Sequence, residues 1–302
     1  MKQPLSEKYR PKKFEDVIGV GELNKIVEVS KNINNMPHFL FHGPAGTGKT
    51  TIAKIIIDNN KPVDVLKTHG KSLGIDFIRN KLVPFSSSMS SVPNKRRIIF
   101  IDEFDGASAA AIDDLRATIE KYQRNVVFIC TCNYINKLTE PIQSRFALYK
   151  FDKLKKEDVI SRIKFIIEKE SINIENENVL EGIYIKARGD LRKSINIMQQ
   201  LGANIKVADI KNLNNTAVDI LKLIKAGDWE TIRRQKVFEL EDFEEALSDM
   251  DDIIYNSEKI TKIQKMKCNQ IIAEGLFQMY GIFRRDLLFC AVCSKLVEVL
   301  NV

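Results

Sequence analysis

The chain has 302 residues, of which 44% are hydrophobic and 29% are charged. This composition is typical of folded globular proteins and excludes the disordered and fibrous classes. The length predicts about two or three domains. A formal net charge of +7 is compatible with an anionic partner such as nucleic acid, although many soluble proteins are mildly basic.

The sequence has no pattern typical of a membrane or secretory segment. Its longest apolar run, residues 287–293, is far shorter than the ~18 residues that a transmembrane helix needs. The N-terminal segment is polar and basic, so we expect a cytoplasmic protein without membrane contact. Five cysteines, an odd number, predict free thiols, and Cys290 and Cys293 lie in an apolar helical stretch where core packing is the favoured role.

Short apolar segments rich in β-branched and aromatic residues alternate with helical segments in the first half of the chain. The predicted strands are residues 38–42, 64–67, 96–102, 125–132 and 147–151. Strands of this composition are typical of a parallel sheet that helices cover on both faces. The predicted fold class of this part is therefore α/β.

The rest of the chain has helical periodicity. Apolar residues recur at helical spacing between residues 154 and 170, and further helices are predicted at 179–187, 191–200, 246–254 and 271–302. A link is predicted at residues 202–215. These patterns divide the chain into an α/β domain at 1–152, a small helical domain at 153–208 and an all-helical domain at 209–302.

Residues 43–50, Gly-Pro-Ala-Gly-Thr-Gly-Lys-Thr, match the phosphate-loop pattern GxxxxGK[ST] in full. A predicted strand enters this loop and a predicted helix leaves it, which is the context that the motif requires. Backbone N–H groups of such a loop bind phosphate oxygens, while Lys49 reaches the β- and γ-phosphates and Thr50 binds Mg²⁺. The motif predicts a site for a nucleoside triphosphate and Mg²⁺.

Two acidic residues, Asp102 and Glu103, follow each other at the end of the strand predicted at 96–102. An aspartate in this place can hold Mg²⁺ through water, and the glutamate beside it can orient and deprotonate an attacking water. The pair predicts hydrolysis of the bound nucleotide. Asp105, which precedes Gly106 and a helical segment, is interpreted as a local turn or cap residue.

With these motifs in this order, the chain resembles the AAA+ ATPases and, among them, the sliding-clamp loaders of DNA replication. The segment EKYRPKKFEDVIG at residues 7–19 resembles the adenine-site signature of that family. The resemblance implies an AAA+ ATPase domain at 1–152, a helical lid at 153–208 and a helical collar at 209–302. It also implies that ATP is bound by Tyr9, Arg10, Pro11, Val17, Ile18, Gly43, Pro44, Ala45, Gly46, Thr47, Gly48, Lys49, Thr50 and Thr51.

Three further segments resemble the family's motifs that act on the γ-phosphate. CTCN at 130–133 resembles sensor 1 and implies a role for Asn133, and GDLRKSIN at 189–196 resembles sensor 2 and implies one for Arg192. PIQSRF at 141–146 resembles the motif that supplies an arginine finger, here Arg145, in trans to a neighbouring subunit. Arginine fingers neutralise charge on a transferring phosphoryl group and accelerate the reaction by about 10³–10⁵-fold. Judged without the resemblance, a surface ion pair is the usual role of an arginine and the favoured one for both.

Within the clamp loaders, the DEFDG sequence at 102–106 and the compact helical tail resemble most the large ATPase subunit of T4-like tailed phages. Archaeal and eukaryotic small loader subunits come second. Phe146 stands where the family usually has cysteine, a departure that bears on the subfamily. The resemblance implies a sliding clamp, primer–template DNA and other loader subunits as partners, in a pentamer of several copies plus a distinct subunit, serving viral DNA replication in an infected host.

The segment GIDFIRNKL at residues 74–82 resembles the part of the family that faces DNA, which implies DNA contacts by Arg79 and Lys81. Ser108 begins a predicted helix after Gly106, a second place where backbone N–H groups could meet a phosphate. Basic residues and hydroxyls without interleaved aromatic residues predict contacts to phosphates, independent of base sequence. A solvated basic face is the alternative.

Three classes of function remain open at this point. A clamp loader accounts for all the motifs. Another AAA+ machine, such as a helicase loader or a branch-migration motor, shares the ATPase motifs but would carry a DNA-binding winged helix in place of the helical tail. A catalytically silent scaffold subunit is the third class, and the intact set of Lys49, Thr50, Asp102 and Glu103 argues against it.

Overall fold

The computed structural model describes residues 3–212, 215–240, 242–279 and 282–301. The chain forms two compact units, Met1–Ile205 and Lys206–Val302. Every motif discussed above lies in the first unit. The predicted α/β domain and nearly all of the small helical domain fall together in this unit, so their mutual boundary at residue 152 stays a prediction.

A five-stranded parallel sheet forms the centre of the first unit, with strand order β2-β3-β4-β1-β5. Its strands lie within two residues of the predicted bounds, and β1, β3 and β4 are almost fully buried. Successive residues of the buried strands enter two separate cores, one on each face of the sheet. This confirms the α/β prediction. The strands are β1 (Phe39–His42), β2 (Val65–His69), β3 (Arg97–Asp102), β4 (Val126–Cys132) and β5 (Ala147–Lys150).

Helices cover both faces of this sheet. Ile52 and Ile56 of the helix after the phosphate loop belong to one core, and Leu115 and Ile119 of a long helix after β3 belong to the other. The helices of this part are α1 (Leu5–Lys8), α2 (Leu23–Val29), α3 (Lys49–Asn59), α4 (Ile75–Phe77), α5 (Val83–Ser87), α6 (Ala109–Tyr122) and α7 (Glu140–Gln143). A π-helical turn, Ile78–Leu82, joins α4 to α5, and 3₁₀ turns occupy Phe14–Asp16, Gly70–Ser72, Phe104–Gly106 and Ile135–Lys137.

The predicted small helical domain contains α8 (Lys156–Glu170), α9 (Asn178–Ala187) and α10 (Leu191–Leu201). It also contains a short parallel ladder between β6 (Asn173–Ile174) and β7 (Asn204–Ile205). The expectation that strands end near residue 151 and that residues 202–215 form a plain link was therefore wrong. Strands of two residues are too short to produce a periodic signal, and residues 213–214 lie outside the described part.

The second unit is helical over residues 206–212, 215–240, 242–279 and 282–301, without a strand in these ranges. The prediction of a single helix at 271–302 was wrong, because one helix ends at Met279 and another begins at Arg285. The break was not predicted because apolar residues recur at helical spacing on both sides of it. Residues 280, 281 and 302 lie outside the described part of the chain. The helices are α11 (Val207–Asn212), α12 (Asn215–Ala226), α13 (Trp229–Arg234), α14 (Phe243–Asn256), α15 (Lys262–Met279) and α16 (Arg285–Leu300), with a 3₁₀ turn at Lys236–Glu239.

Cys290 and Cys293 are buried in the core of the second unit, beside Phe289 and Leu247. Over the described ranges, no cluster of three or more His, Cys, Asp or Glu residues is arranged to hold a metal ion. Core packing of the two cysteines is confirmed. Nor does any helix in the described part have the length and apolarity needed to cross a bilayer.

Candidate nucleotide site

The phosphate loop lies between β1 and α3, at the edge where the carboxyl ends of β1, β3 and β4 meet. Gly46 has φ +73°, and a Cβ at this position would lie 1.9 Å from Oδ1 of Asp190, so only glycine fits. Lys49 begins α3 and is buried, and its ammonium donates to the carbonyls of Gly43 and Pro44, both at 2.7 Å. Burial lowers the pKa of Lys49.

The phosphate loop and β3 are joined by a hydrogen bond between their functional residues. Thr50 Oγ1 donates to Oδ1 of Asp102 at 2.9 Å. A hydroxyl and a carboxylate held together at a phosphate loop are the oxygen ligands that Mg²⁺ uses at phosphate sites. The residues present therefore fit a magnesium ion, as the sequence predicted.

Glu103 follows β3 directly, with an exposed side chain and a left-handed backbone, φ +53° and ψ +49°. Such a conformation is uncommon for a residue other than glycine. A Cβ on Gly70 would lie only 2.0 Å from the carbonyl oxygen of Glu103, so a side chain at position 70 would displace that carbonyl. The 3₁₀ turn Gly70–Ser72 thus packs directly on the segment that carries Glu103.

One cavity brings together most of the residues predicted to act on the nucleotide. Gly43 and Pro44 are not among the lining residues, and their carbonyls accept hydrogen bonds from the ammonium of Lys49. The predicted residues that line the cavity are Tyr9, Arg10, Pro11, Val17, Ile18, Ala45, Gly46, Thr47, Gly48, Lys49, Thr50, Thr51, Asp102, Glu103, Asn133 and Arg192.

Sequence reasoning missed several other residues that line this cavity. Arg162 of α8 and the apolar Leu154 belong to no local motif. Leu191 and Ile195 belong to the GDLRKSIN segment, for which the sequence predicted a role for Arg192 alone. Thr131 and Cys132 also line the cavity and belong to the CTCN segment, for which the sequence predicted a role for Asn133 alone. Burial raises the pKa of Cys132 to about 12, so its thiol is neutral at pH 7.

The N-terminal segment around Tyr9 is anchored on both sides of the cavity. Arg10 donates from Nη1 to Thr51 Oγ1 of α3 at 3.1 Å. The carbonyl of Tyr9 accepts from Nη2 of Arg162 at 2.8 Å, and its hydroxyl donates to Glu170, both in α8. The segment therefore connects the helix of the phosphate loop to the first helix of the predicted lid.

Asp105 was interpreted as a local turn or cap residue, and it does lie in the 3₁₀ turn Phe104–Gly106, but its side chain binds a distant segment. Its Oδ2 accepts from the backbone N–H groups of Asn133 at 3.2 Å and Tyr134 at 3.1 Å. Asp105 lies in the 3₁₀ turn after β3 and thus holds the segment that follows β4. No signal in the sequence connects residues this far apart along the chain.

Arg145 is not among the residues that line the cavity of its own chain. Its guanidinium forms an ion pair with Glu120 of α6 and donates to the carbonyl of Pro141. Within one chain, Arg145 therefore lies outside the cavity that Asn133 and Arg192 line.

The three predicted DNA-contact residues lie outside the cavity lining, on the segment from α4 to α5 and at the start of α6. Arg79 Nε is 3.6 Å from Oδ2 of Asp114, and the ammonium of Lys81 lies 5.6 Å from the ring centre of Phe77. Ser108 is the N-cap of α6, since its hydroxyl accepts from the N–H of Ala111 at 3.3 Å. The predicted helix start at Ser108 is confirmed.

Comparison with protein families identifies two parts of the chain. Residues 39–152 match the family described as "ATPase family associated with various cellular activities (AAA)". Residues 161–200 match the RCF1/5-like AAA+ ATPase lid domain. The solved structure of the Thermotoga maritima RuvB Holliday junction branch migration motor covers 97% of this chain and 90% of its own, with a TM-score of 0.55 and 19% identity, a likeness that shows the fold alone.

Curated relatives extend the comparison beyond single domains. The replication factor C small subunit of Saccharolobus solfataricus is 40% identical over 208 residues, which are 67% of this chain and 63% of that protein. The chain thus spans less than two thirds of this relative. The replication factor C small subunit of Methanococcus vannielii is 38% identical over 223 residues, 72% of this chain and 69% of that protein. Agreement at this level, across both the ATPase and the lid region, means that the chain belongs to the replication factor C small subunit family of AAA+ ATPases.

Proposed function

We propose that this chain is an ATP-hydrolysing subunit of a sliding-clamp loader, which opens the DNA polymerase clamp and places it on primer–template DNA. The observation that carries the proposal is the single cavity that joins the phosphate loop, Asp102, Glu103, Asn133 and Arg192. Relatives named replication factor C small subunit support the biological setting.

ATP hydrolysis follows from the roles of these side chains. The loop N–H groups and Lys49 bind the phosphates, and Thr50 and Asp102 hold Mg²⁺, which neutralises phosphate charge when bound. Glu103 accepts a proton from the water that attacks the γ-phosphorus, so that the bond to the β-phosphate oxygen breaks and ADP and phosphate form. Asn133 orients the water or the γ-phosphate, and Arg192 stabilises the charge that develops.

Arg145 acts on the site of a neighbouring subunit in this proposal. Its place outside the cavity of its own chain supports a role in trans. Activity then depends on an assembly of several copies with a distinct subunit, for which we propose the pentamer expected of clamp loaders.

DNA contacts belong to the segment from α4 to α5 and to the N-terminus of α6. Arg79 and Lys81 supply cationic groups, and Ser108 caps the helix whose first N–H groups can meet a phosphate. We propose that DNA binding stimulates hydrolysis through this region.

The DEFDG sequence and the compact tail support a phage origin, in which the protein serves viral DNA replication in the cytoplasm of an infected bacterium. The curated relatives named above are archaeal, and archaeal small subunits are the second subfamily that the sequence resembles.

A branch-migration motor or a helicase loader is the alternative within AAA+ proteins. A winged helix contains strands, and from residue 206 onward the described part of the chain is helical without a strand. This favours the clamp loader. A silent scaffold would not need the hydrogen bond between Thr50 and Asp102 or the buried Lys49.

The decisive experiment is purification of the chain with the proteins encoded beside it, followed by ATPase and clamp-loading assays. We expect the ATPase rate to rise when the clamp and primed DNA are added together, and labelled clamp to be retained on circular primed DNA only with ATP. An ATPase that responds to four-way DNA junctions but not to a clamp would support the branch-migration alternative.

A further inference from the structure

The hydroxyl of Thr131 lies between the two acidic residues of the proposed site. Thr131 belongs to β4 and is only 2% exposed. Its Oγ1 donates to Oδ1 of Asp102 and accepts from the backbone N–H of Glu103 at 3.0 Å. One hydroxyl thus contacts both the proposed metal ligand and the backbone of the proposed base.

Asp102 receives two hydroxyl donors on the same oxygen. Thr50 Oγ1 donates to Oδ1 from the phosphate loop, and Thr131 Oγ1 donates to Oδ1 from β4. An ionised carboxylate offers about four acceptor sites, so these two bonds leave capacity for the water shell of a magnesium ion. The two threonines reach this carboxylate from different elements, Thr50 from α3 and Thr131 from β4, the neighbour of β3 in the sheet.

The backbone of Glu103 needs support because its φ of +53° is in the left-handed region. The bond from its N–H to Thr131 holds one side of this residue. On the other side, the lack of a side chain at Gly70 permits the close approach of the Glu103 carbonyl. Without the Thr131 acceptor, the N–H of Glu103 would lose this hydrogen bond, and the left-handed backbone would be less favoured.

We propose that Thr131 is a positioning residue for ATP hydrolysis, whose hydroxyl holds Glu103 and Asp102 in the arrangement that the reaction needs. This inference rests on the proposed function and deepens the same site. The simplest competing role for Thr131 is packing in a buried strand. Valine has nearly the same shape and favours strands, so it would satisfy a packing role and fail a positioning role.

The test compares Thr131→Val with Thr131→Ser in the full chain, assembled with its partner subunits. Valine removes both hydrogen bonds and retains the shape, whereas serine retains the hydroxyl and loses one methyl group. We expect Thr131→Val to lower kcat by roughly 10²-fold with little change in KM for ATP, because a small misplacement of a catalytic group has this cost. Thr131→Ser should remain within about threefold of wild type.

Two binding measurements accompany the kinetics. Equilibrium titration should show that both variants bind ATP with near-wild-type affinity, and that Thr131→Val requires more Mg²⁺ for tight ATP binding. Circular dichroism and thermal melting check the fold. If Thr131→Val does not fold, Thr131→Ala provides the same comparison with serine.

Wild-type turnover by Thr131→Val, or equal loss in Thr131→Ser and Thr131→Val, would overturn the inference. A parallel Glu103→Gln variant separates this failure from failure of the proposed function. If Glu103→Gln stops turnover while Thr131→Val does not alter it, only the role of Thr131 is wrong. If Glu103→Gln hydrolyses ATP normally, the assignment of the base is wrong as well.

Discussion

Lys49 is proposed to act in ATP binding and Glu103 in hydrolysis, so we expect substitutions at the two positions to affect binding and turnover differently. Lys49→Ala removes a buried ligand of the phosphates and should abolish ATP binding. Glu103→Gln removes only the base and should retain binding while turnover falls by about 10²–10⁴-fold. Fluorescent-nucleotide binding and steady-state ATPase rates on the same samples measure both effects. A Glu103→Gln protein with wild-type turnover would contradict the assignment of the base.

Arg145 is paired with Glu120 of its own chain and lies outside its own cavity lining. We therefore expect Arg145→Ala to bind nucleotide normally and to lose most turnover in the assembled complex, by about 10³-fold or more. Arg124→Ala, which changes an exposed arginine just beyond α6, is the matched control.

Mixing subunits decides where Arg145 acts. Complexes that contain both Arg145→Ala and Glu103→Gln chains should recover part of the activity, because some interfaces then combine an intact base with an intact arginine. If mixed complexes form, as native mass spectrometry can verify, and none exceeds the single variants, the arginine acts within its own subunit or is structural.

His38 should make the stability of the first unit depend on pH. Burial lowers the pKa of its imidazole to about 4, and its Nδ1 accepts from the N–H of Phe128 at 3.1 Å, which requires the neutral form. The unfolded chain binds this proton near pH 6.5, so stability falls as the pH drops below about 6.5 and the loss is complete near 4, amounting to roughly 3 kcal/mol at most.

His38→Asn offers a matched acceptor that does not titrate in this range. Denaturant unfolding followed by circular dichroism at pH 7 and pH 4.5 should show a smaller pH dependence in the variant than in the wild type. If the difference in unfolding free energy between wild type and His38→Asn is the same at both pH values, His38 is not the source of the pH dependence.

The 3₁₀ turn after β3 and the segment after β4 form one functional element through Asp105. Asp105→Ala removes the acceptor for the N–H groups of Asn133 and Tyr134. We expect kcat to fall between about 10- and 100-fold with ATP binding preserved, since Asn133 would no longer be held in place. Asp105→Asn retains an amide oxygen that can accept both bonds and should lose much less. Equal effects of alanine and asparagine on kcat would contradict this role.

The segment from α4 to α5 packs beside α6, as the contact between Arg79 and Asp114 shows. This arrangement places Arg79, Lys81 and the N-terminus of α6 on neighbouring elements. Residues 75–82 form an α-helical turn followed by a π-helical one. The resemblance, and not the periodicity, supplied the association with DNA.

For the assembled protein, stimulation of the ATPase by DNA should depend on salt and not on base sequence, because the proposed contacts are to phosphates. Arg79→Ala should weaken the stimulation and reduce the slope of log affinity against log salt by about 1. Lys31→Ala, which removes an exposed cation just after α2, is the control. A strong preference for one duplex sequence, or unchanged stimulation in Arg79→Ala, would contradict DNA contact by this segment.

The sequence alone determined the local features of this protein. The five strands of the main sheet, the phosphate loop and the helices α3, α6, α8, α9, α10 and α14 could be predicted because periodicity and motif spacing are properties of consecutive residues. Two-residue strands such as β6 and the break between α15 and α16 could not, since neither changes the apolar pattern enough.

Only the tertiary structure decided which side chains support the nucleotide site. Thr131 and Asp105 contact Glu103 and Asn133 because β3 and β4 are neighbours in the sheet, and Arg162 reaches the carbonyl of Tyr9 because α8 packs beside the N-terminal segment. Such contacts join residues separated by 28 to 153 positions in the chain. They depend on strand order, register and helix packing, which no local pattern of residues encodes.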